Sequence, residues 1–172
     1  MGKRAHLYPR VSLADCVYVG QASTLGDRVE AQDGAVIHRH NRIGSDTNIG
    51  VEAMSGLSVS IGNRVEIQEG VRIGHHSRIY DRVRLIEGAT VMPYSVINER
   101  AVIGAFAHVG EGSEVVSMGW VEAGKTVEGP AGKASLPMGL ILDAIDYAYS
   151  AEGLEETAWL AELDELNKWA AS

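Results

Sequence analysis

Residues 64–91 read RVEIQE GVRIGH HSRIYD RVRLIE GATV, and an aliphatic residue returns at every sixth position: Ile67, Ile73, Ile79, Leu85, Val91. Neither common period accounts for this run. An amphipathic helix repeats its apolar face every three or four residues, and a half-buried strand alternates every two. Extended outward in sixes, the same register runs from Arg10 to Gly129, twenty hexads with no insertion. The fourth place is Leu, Ile or Val in eighteen of the twenty, Ala31 and Ser55 being the exceptions. The second place is mostly small or Val. Self-similarity at a fixed short period marks a solenoid.

The spacing dictates the geometry. Each hexad supplies a short strand and a corner, and three hexads close a triangular coil. The fourth-place side chain points at the axis and stacks on the residue 18 positions away. Coils paired as parallel strands rise by ~4.8 Å each, so about six to seven of them make a prism roughly 30 Å tall. The composition agrees: one Phe, with Val, Ile, Leu and Ala carrying the apolar content, suits tightly wound strands. Twenty Gly spread along the chain point to regular turns. The expected organisation is a lead-in over 1–9, a parallel β-helix over 10–130, a breaker-rich linker over 131–137 and a helical tail over 138–172. In that tail Trp159, Leu163, Leu166 and Ala170 share a helical face opposite acids. Such a face either caps the open end of the solenoid or docks a partner.

The net charge is −8, and residues 131–172 hold eight acids against Lys133 and Lys168, a local balance of −6. This excludes general nucleic-acid binding. The single Cys16 excludes an internal disulfide framework and fits a reducing compartment. No apolar run approaches the ~18 residues of a membrane span, and MGKRAHLYPR has no leader-like apolar centre. A cytoplasmic location off the membrane is expected.

Within the repeat, VEAQDGAVIH at Val29–His38, preceded by GDR at Gly26–Arg28, resembles the "QDG-aliphatic-His" motif of γ-carbonic-anhydrase-like proteins. EGPAGKA at Glu128–Ala134 is similar to the closure seen across the left-handed β-helix superfamily. The resemblance implies the left hand and a homotrimer. It also implies a zinc held by three His at each subunit interface, with His38 as first ligand, Gln32 as the motif glutamine and Asp33 as an interface aspartate. The remaining ligand places fall on Val51 and Gly56, which carry no donor. An alternative alignment finds His75 but puts Tyr80 at the last place. It also lies two coils from His38, roughly 10 Å by strand spacing, far beyond Zn–N bonds of ~2.0–2.1 Å. No standard zinc site is expected, and His38, His75 and His76 are the residual metal candidates.

The acyltransferases of the same superfamily imply a different site: an interfacial His acting as base, with acyl-CoA in the groove between subunits. His38, His75, His76 and His108 are the candidate bases and Gln32 a candidate helper, although no loop interrupts residues 10–129.

RVEAQDGAVIHRH at 28–40 recurs as RVEIQEGVRIGHH at 64–76, two coils away. The first-place column runs Arg28, Asp46, Arg64, Arg82, Arg100, with Glu30 and Glu66 two residues on and Asp33, Glu69 and Glu87 five on. One vertical edge of alternating Arg and carboxylate is expected, locking subunits together. Arg28, Arg64 and Arg82, with His38, His75, His76 and Tyr80, then form an interfacial site for a small anion. The expected function is a γ-carbonic-anhydrase-like trimer binding a small anionic molecule between subunits. The alternatives are an enzyme using an interfacial His, either an acyltransferase or a divergent metal-dependent lyase, and an assembly protein docking a partner through its acidic tail.

Overall fold

In the computed structural model, which describes residues 2–128, the hexads become 21 two-residue strands in three seven-stranded parallel sheets. The result is a left-handed parallel β-helix of about seven coils. Strands β1 (His6–Leu7), β2 (Ser12–Leu13) and β3 (Tyr18–Val19) open the first, second and third faces. Each later strand joins the face begun three strands earlier, in register at 18 residues: Ser60 pairs Arg78 on the first face, Glu66 pairs Arg84 on the second, Arg72 pairs Thr90 on the third. The repeat starts before Arg10, because His6–Leu7 already pairs with Thr24–Leu25. The linker and helical tail expected over 131–172 lie outside the described residues.

Fourth-place residues fill the axis, and second-place Val and Ala pack beside them; Leu25, Ile37, Leu85, Ile97 and Ile103 are all fully enclosed. The anomalous Ser55 has a partner. Asn41, buried at a second place, donates from Nδ2 to Ser55 Oγ at 2.6 Å and accepts the Val59 N–H at Oδ1 at 2.7 Å. Burying an unpaired amide is costly, so the buried amide of Asn41 and the fourth-place serine occur together. A small void lined by Ile49, Ile61, Ile67 and Ile73 lies beside Ser55, where a Val or Ile would otherwise sit.

Hydrogen bonding at the corners follows the same six-fold rule. A first-place N–H donates to the sixth-place carbonyl one coil earlier, as His76 to Leu57 at 2.9 Å. Sixth-place N–H groups have no backbone acceptor among the described residues. At four of them a sixth-place side chain from the next coil fills the gap: Asp33 accepts from Asp15, Asn63 from Ser45, His75 from Leu57 and Asp81 from Asn63, at 2.7–3.1 Å. Second-place hydroxyls do the converse for corner carbonyls, Ser23 donating to His38 O and Ser95 to Gly110 O, both at 2.8 Å. Backbone groups withdrawn from water need partners, and the solenoid supplies them from the neighbouring coil.

Glycine serves a purpose other than the one its even spread suggests. The left-handed turn residue is the first place, and most of its occupants are not glycine: Arg28, His40, Arg64, His76 and Tyr94 sit at φ between 56° and 63°. Glycine recurs instead at the fifth place, where coils approach closely. A Cβ on Gly74 would lie 2.4 Å from the Pro93 nitrogen and 2.6 Å from the Met92 carbonyl carbon.

Candidate functional site at the corners

The prism has three corners, each built from fifth, sixth and first places, and the candidate residues divide among them. Arg28, Arg64, Arg82 and Tyr80 occupy the first corner, after the first face; Gln32 and Asp33 occupy the second; His38, His40, His75 and His76 occupy the third. His108 stands on the third face itself. Within one chain, the first face separates the arginines and Tyr80 from the histidines, so the expected anion site is not assembled by a single subunit.

The arginine edge differs from expectation. A residue five places after a first-place Arg lies at the far end of the next strand. Asp33, Glu69 and Glu87 therefore line the second corner, and Glu30 and Glu66 stand on the second face. The partners of the first corner are carboxylates of that corner. Arg28 forms a two-pronged contact with Asp46, its Nη2 lying 2.6 Å from Oδ2, and its Nη1 reaches Asp27 at 3.0 Å. Arg10 pairs with Asp27 as well. The Arg28–Asp46 and Arg10–Asp27 bonds run along the axis between coils of one chain. They hold the Arg28 guanidinium above its ordinary range and, chiefly through the Arg28 hydrogen bond, the Asp46 carboxyl below its own. Arg64 and Arg82 line a shallow groove with Asp46, Asn63, Asp81 and Glu99, a mixed lining rather than an anion cradle. On the second face Arg84 donates to Glu66 at 2.9 Å. Burial raises the Glu66 pKa, but bonds from Arg84 and Gln68 outweigh it and leave the carboxyl below its usual range.

The third corner holds the imidazoles. His75 turns its ring back over Gly56, and its Nδ1 accepts the Leu57 N–H at 2.9 Å. A nitrogen that accepts this bond carries no proton, so in the neutral ring the proton resides on Nε2. That leaves His75 no free lone pair for a metal or for abstracting a proton. His76 stacks on Tyr94 with ring centroids 5.3 Å apart. His38, half-buried, meets the edge of Tyr18 at 6.5 Å. No group of three or more His, Cys, Asp or Glu is arranged to hold a metal among the described residues. The chemistry of the zinc places agrees: Gly56 lies one coil from His38 with no donor, and Val51 stands on another corner. The residues do not fit zinc. The capping pattern that commits His75 was missed in the sequence, although the recurrence of Asp, Asn and His at the sixth place was its visible sign.

A solenoid of uninterrupted hexads with its ionisable groups sorted onto corners defines a hexapeptide-repeat left-handed β-helix. No protein-family model matches the chain, and no curated protein does. Among solved structures it is similar to the UDP-N-acetylglucosamine O-acyltransferase of Moraxella catarrhalis, with a TM-score of 0.55 and 17% identity over 95% of this chain and 90% of that one. It is also similar to a point mutant of perosamine N-acetyltransferase from Caulobacter crescentus, in complex with CoA and GDP-perosamine. There the TM-score is 0.54 and the identity 19%, over 73% of this chain and 53% of that one, so the chain spans about half the length of that enzyme. At these identities the likeness is one of fold. No described helix is long and apolar enough to cross a membrane.

Proposed function

We propose that the chain is the subunit of a homotrimeric, CoA-thioester-dependent acyltransferase whose reaction centre forms between copies, with His38 as general base. The carrying observation is the third corner. It gathers four imidazoles on one edge, of which His75 is committed to the Leu57 N–H while, among the described residues, the His38 side chain makes only the Tyr18 ring contact. Two solved structures that share the fold at TM-scores above 0.5 are named as an acyl- and an acetyltransferase, which supports this chemistry over that of a carbonic anhydrase. In the proposed step an acceptor hydroxyl or amine attacks the thioester carbonyl, His38 takes its proton, and the C–S bond breaks to release the CoA thiolate, which His38 then reprotonates.

Acetyl-CoA tests this directly. It should raise the unfolding temperature saturably and release free thiol when mixed with a panel of amino and hydroxy sugars. His38→Ala should lower thiol release by roughly 10²-fold or more and leave the thermal protection intact. A trimer that acetyl-CoA does not protect, and that releases no thiol, would overturn the reading.

A further inference from the structure

The charge on this prism is sorted by edge. Across all coils the second corner carries Asp15, Asp33, Glu52, Glu69, Glu87 and Glu122 and no Lys, Arg or His. The third corner carries Lys3, Arg4 and Arg39 with its four His, and two acids, Glu111 and, in the last described coil, Glu128. The first corner mixes five Arg with four acids and neutralises itself along the axis. The face between the two unlike corners is the third. Its outward column of Tyr18, Val36, Met54, Arg72, Thr90, His108 and Thr126 holds one Lys, Arg, Asp or Glu, where the first and second faces hold three each. Tyr18 and Met54 on it are 49% and 40% exposed.

Two unlike edges on one molecule make a head-to-tail contact, which closes into a ring when the operator is a pure rotation. Rotation about an axis parallel to the solenoid leaves every residue at its own height. A third-corner residue therefore faces the second-corner residue six positions earlier, one third of a coil or about 1.6 Å lower by strand spacing. In three successive coils the sixth-place pairs generated in this way match. Arg39 meets Asp33, Leu57 meets Val51, and His75 meets Glu69. Leu57 and Val51 are the aliphatic residues of their two sixth-place columns, and they fall at one height. Higher up, Tyr94, 60% exposed, meets Gly88, over which the 66% exposed Phe106 ring lies; a Cβ on Gly88 would be 2.5 Å from that ring. From Arg39 to Tyr94 charge, aliphatic and aromatic surface thus agree in one register, and the like pair Glu128 and Glu122 falls only in the last described coil.

We infer that copies of this chain associate with the third corner of one against the second corner of the next, the third face turned toward the three-fold axis. The same register sets His38 of one copy against Gln32 of its neighbour. Gln32 is exposed, and its amide there can hold the imidazole in one orientation, which no residue of the same chain does among the described residues. The candidate site is therefore incomplete in a single chain. This point rests on the proposed role of His38; the interface itself does not.

Engineered disulfides test the interface without reference to activity. In a Cys16→Ser background, Leu57→Cys and Val51→Cys lie on different corners of one prism, so a bond between them joins two copies. Mild oxidation of the full-length double variant should give covalent trimers on a denaturing gel, and each single variant should give none. Arg39→Glu should raise the dissociation midpoint of the assembly at least tenfold in native mass spectrometry, with circular dichroism unchanged. A folded double variant that stays uncross-linked, or a wild-type chain that is monomeric, would overturn the inference. Cross-linked trimers that acetyl-CoA does not protect would uphold the interface and remove the acyltransferase reading alone.

Discussion

His75 Nδ1 and the Leu57 N–H lie 2.9 Å apart, one coil from each other, and this bond assigns a histidine of the repeat to holding the backbone together. Asn63 and Asp81 do the same at equivalent places. His75→Asn should therefore leave stability near wild type, while His75→Ala should cost about 0.5–1.5 kcal/mol, the net worth of one such bond. Urea unfolding monitored by circular dichroism distinguishes the two.

Asn41 and Ser55 form a second such unit. Ser55→Val fills the adjoining void but strips the buried Asn41 amide of the Oγ it reaches at 2.6 Å, an expected loss of about 1–3 kcal/mol. Adding Asn41→Ser places at that site the residue found at Ser23, Ser77 and Ser95 of the same column. The double variant should recover most of the loss, and a double-mutant cycle on unfolding free energies measures the coupling.

Gly74 and Gly70 should respond oppositely to the intuition that positive φ is what glycine protects. Gly70, at φ 66°, has open space where its Cβ would stand, and non-glycine residues occupy most equivalent turns. Gly74→Ala drives a methyl into the Pro93 backbone and should cost about 1–3 kcal/mol, more than Gly70→Ala in the same thermal melt.

Acid should weaken the second face through Glu66. Its folded pKa lies below the unfolded value, so its contribution is present above the unfolded pKa and is lost as pH falls through the folded one. Glu66→Gln should flatten the decline in stability across the acidic carboxylate range, and Arg84→Met, removing the principal donor, should do the same. Unfolding midpoints measured from neutral pH down to about pH 3 report the slope.

The hexad register was legible from Ile67, Ile73, Ile79 and Leu85 alone, because a solenoid reads its core directly from sequence spacing. The Arg–carboxylate edge was legible only in part. Arg28 and Asp46 do share a column, but Asp33 and Glu69 belong to the next corner, since five residues carry the chain across a whole strand. In sequence Val51 and Gly56 told against the standard zinc places while leaving His38, His75 and His76 as metal candidates, and in the structure the Nδ1 lone pair of His75 meets the Leu57 N–H.

By itself, then, the sequence determined the period, the axial core and the 18-residue register, because each depends only on separations along the chain. The tertiary structure alone decided which carboxylate each corner arginine meets, which side chain caps which backbone group, and that the His75 ring is committed to the Leu57 N–H. Those relations depend on which way a side chain leaves a corner and what the neighbouring coil presents to it, and a one-dimensional spacing carries neither.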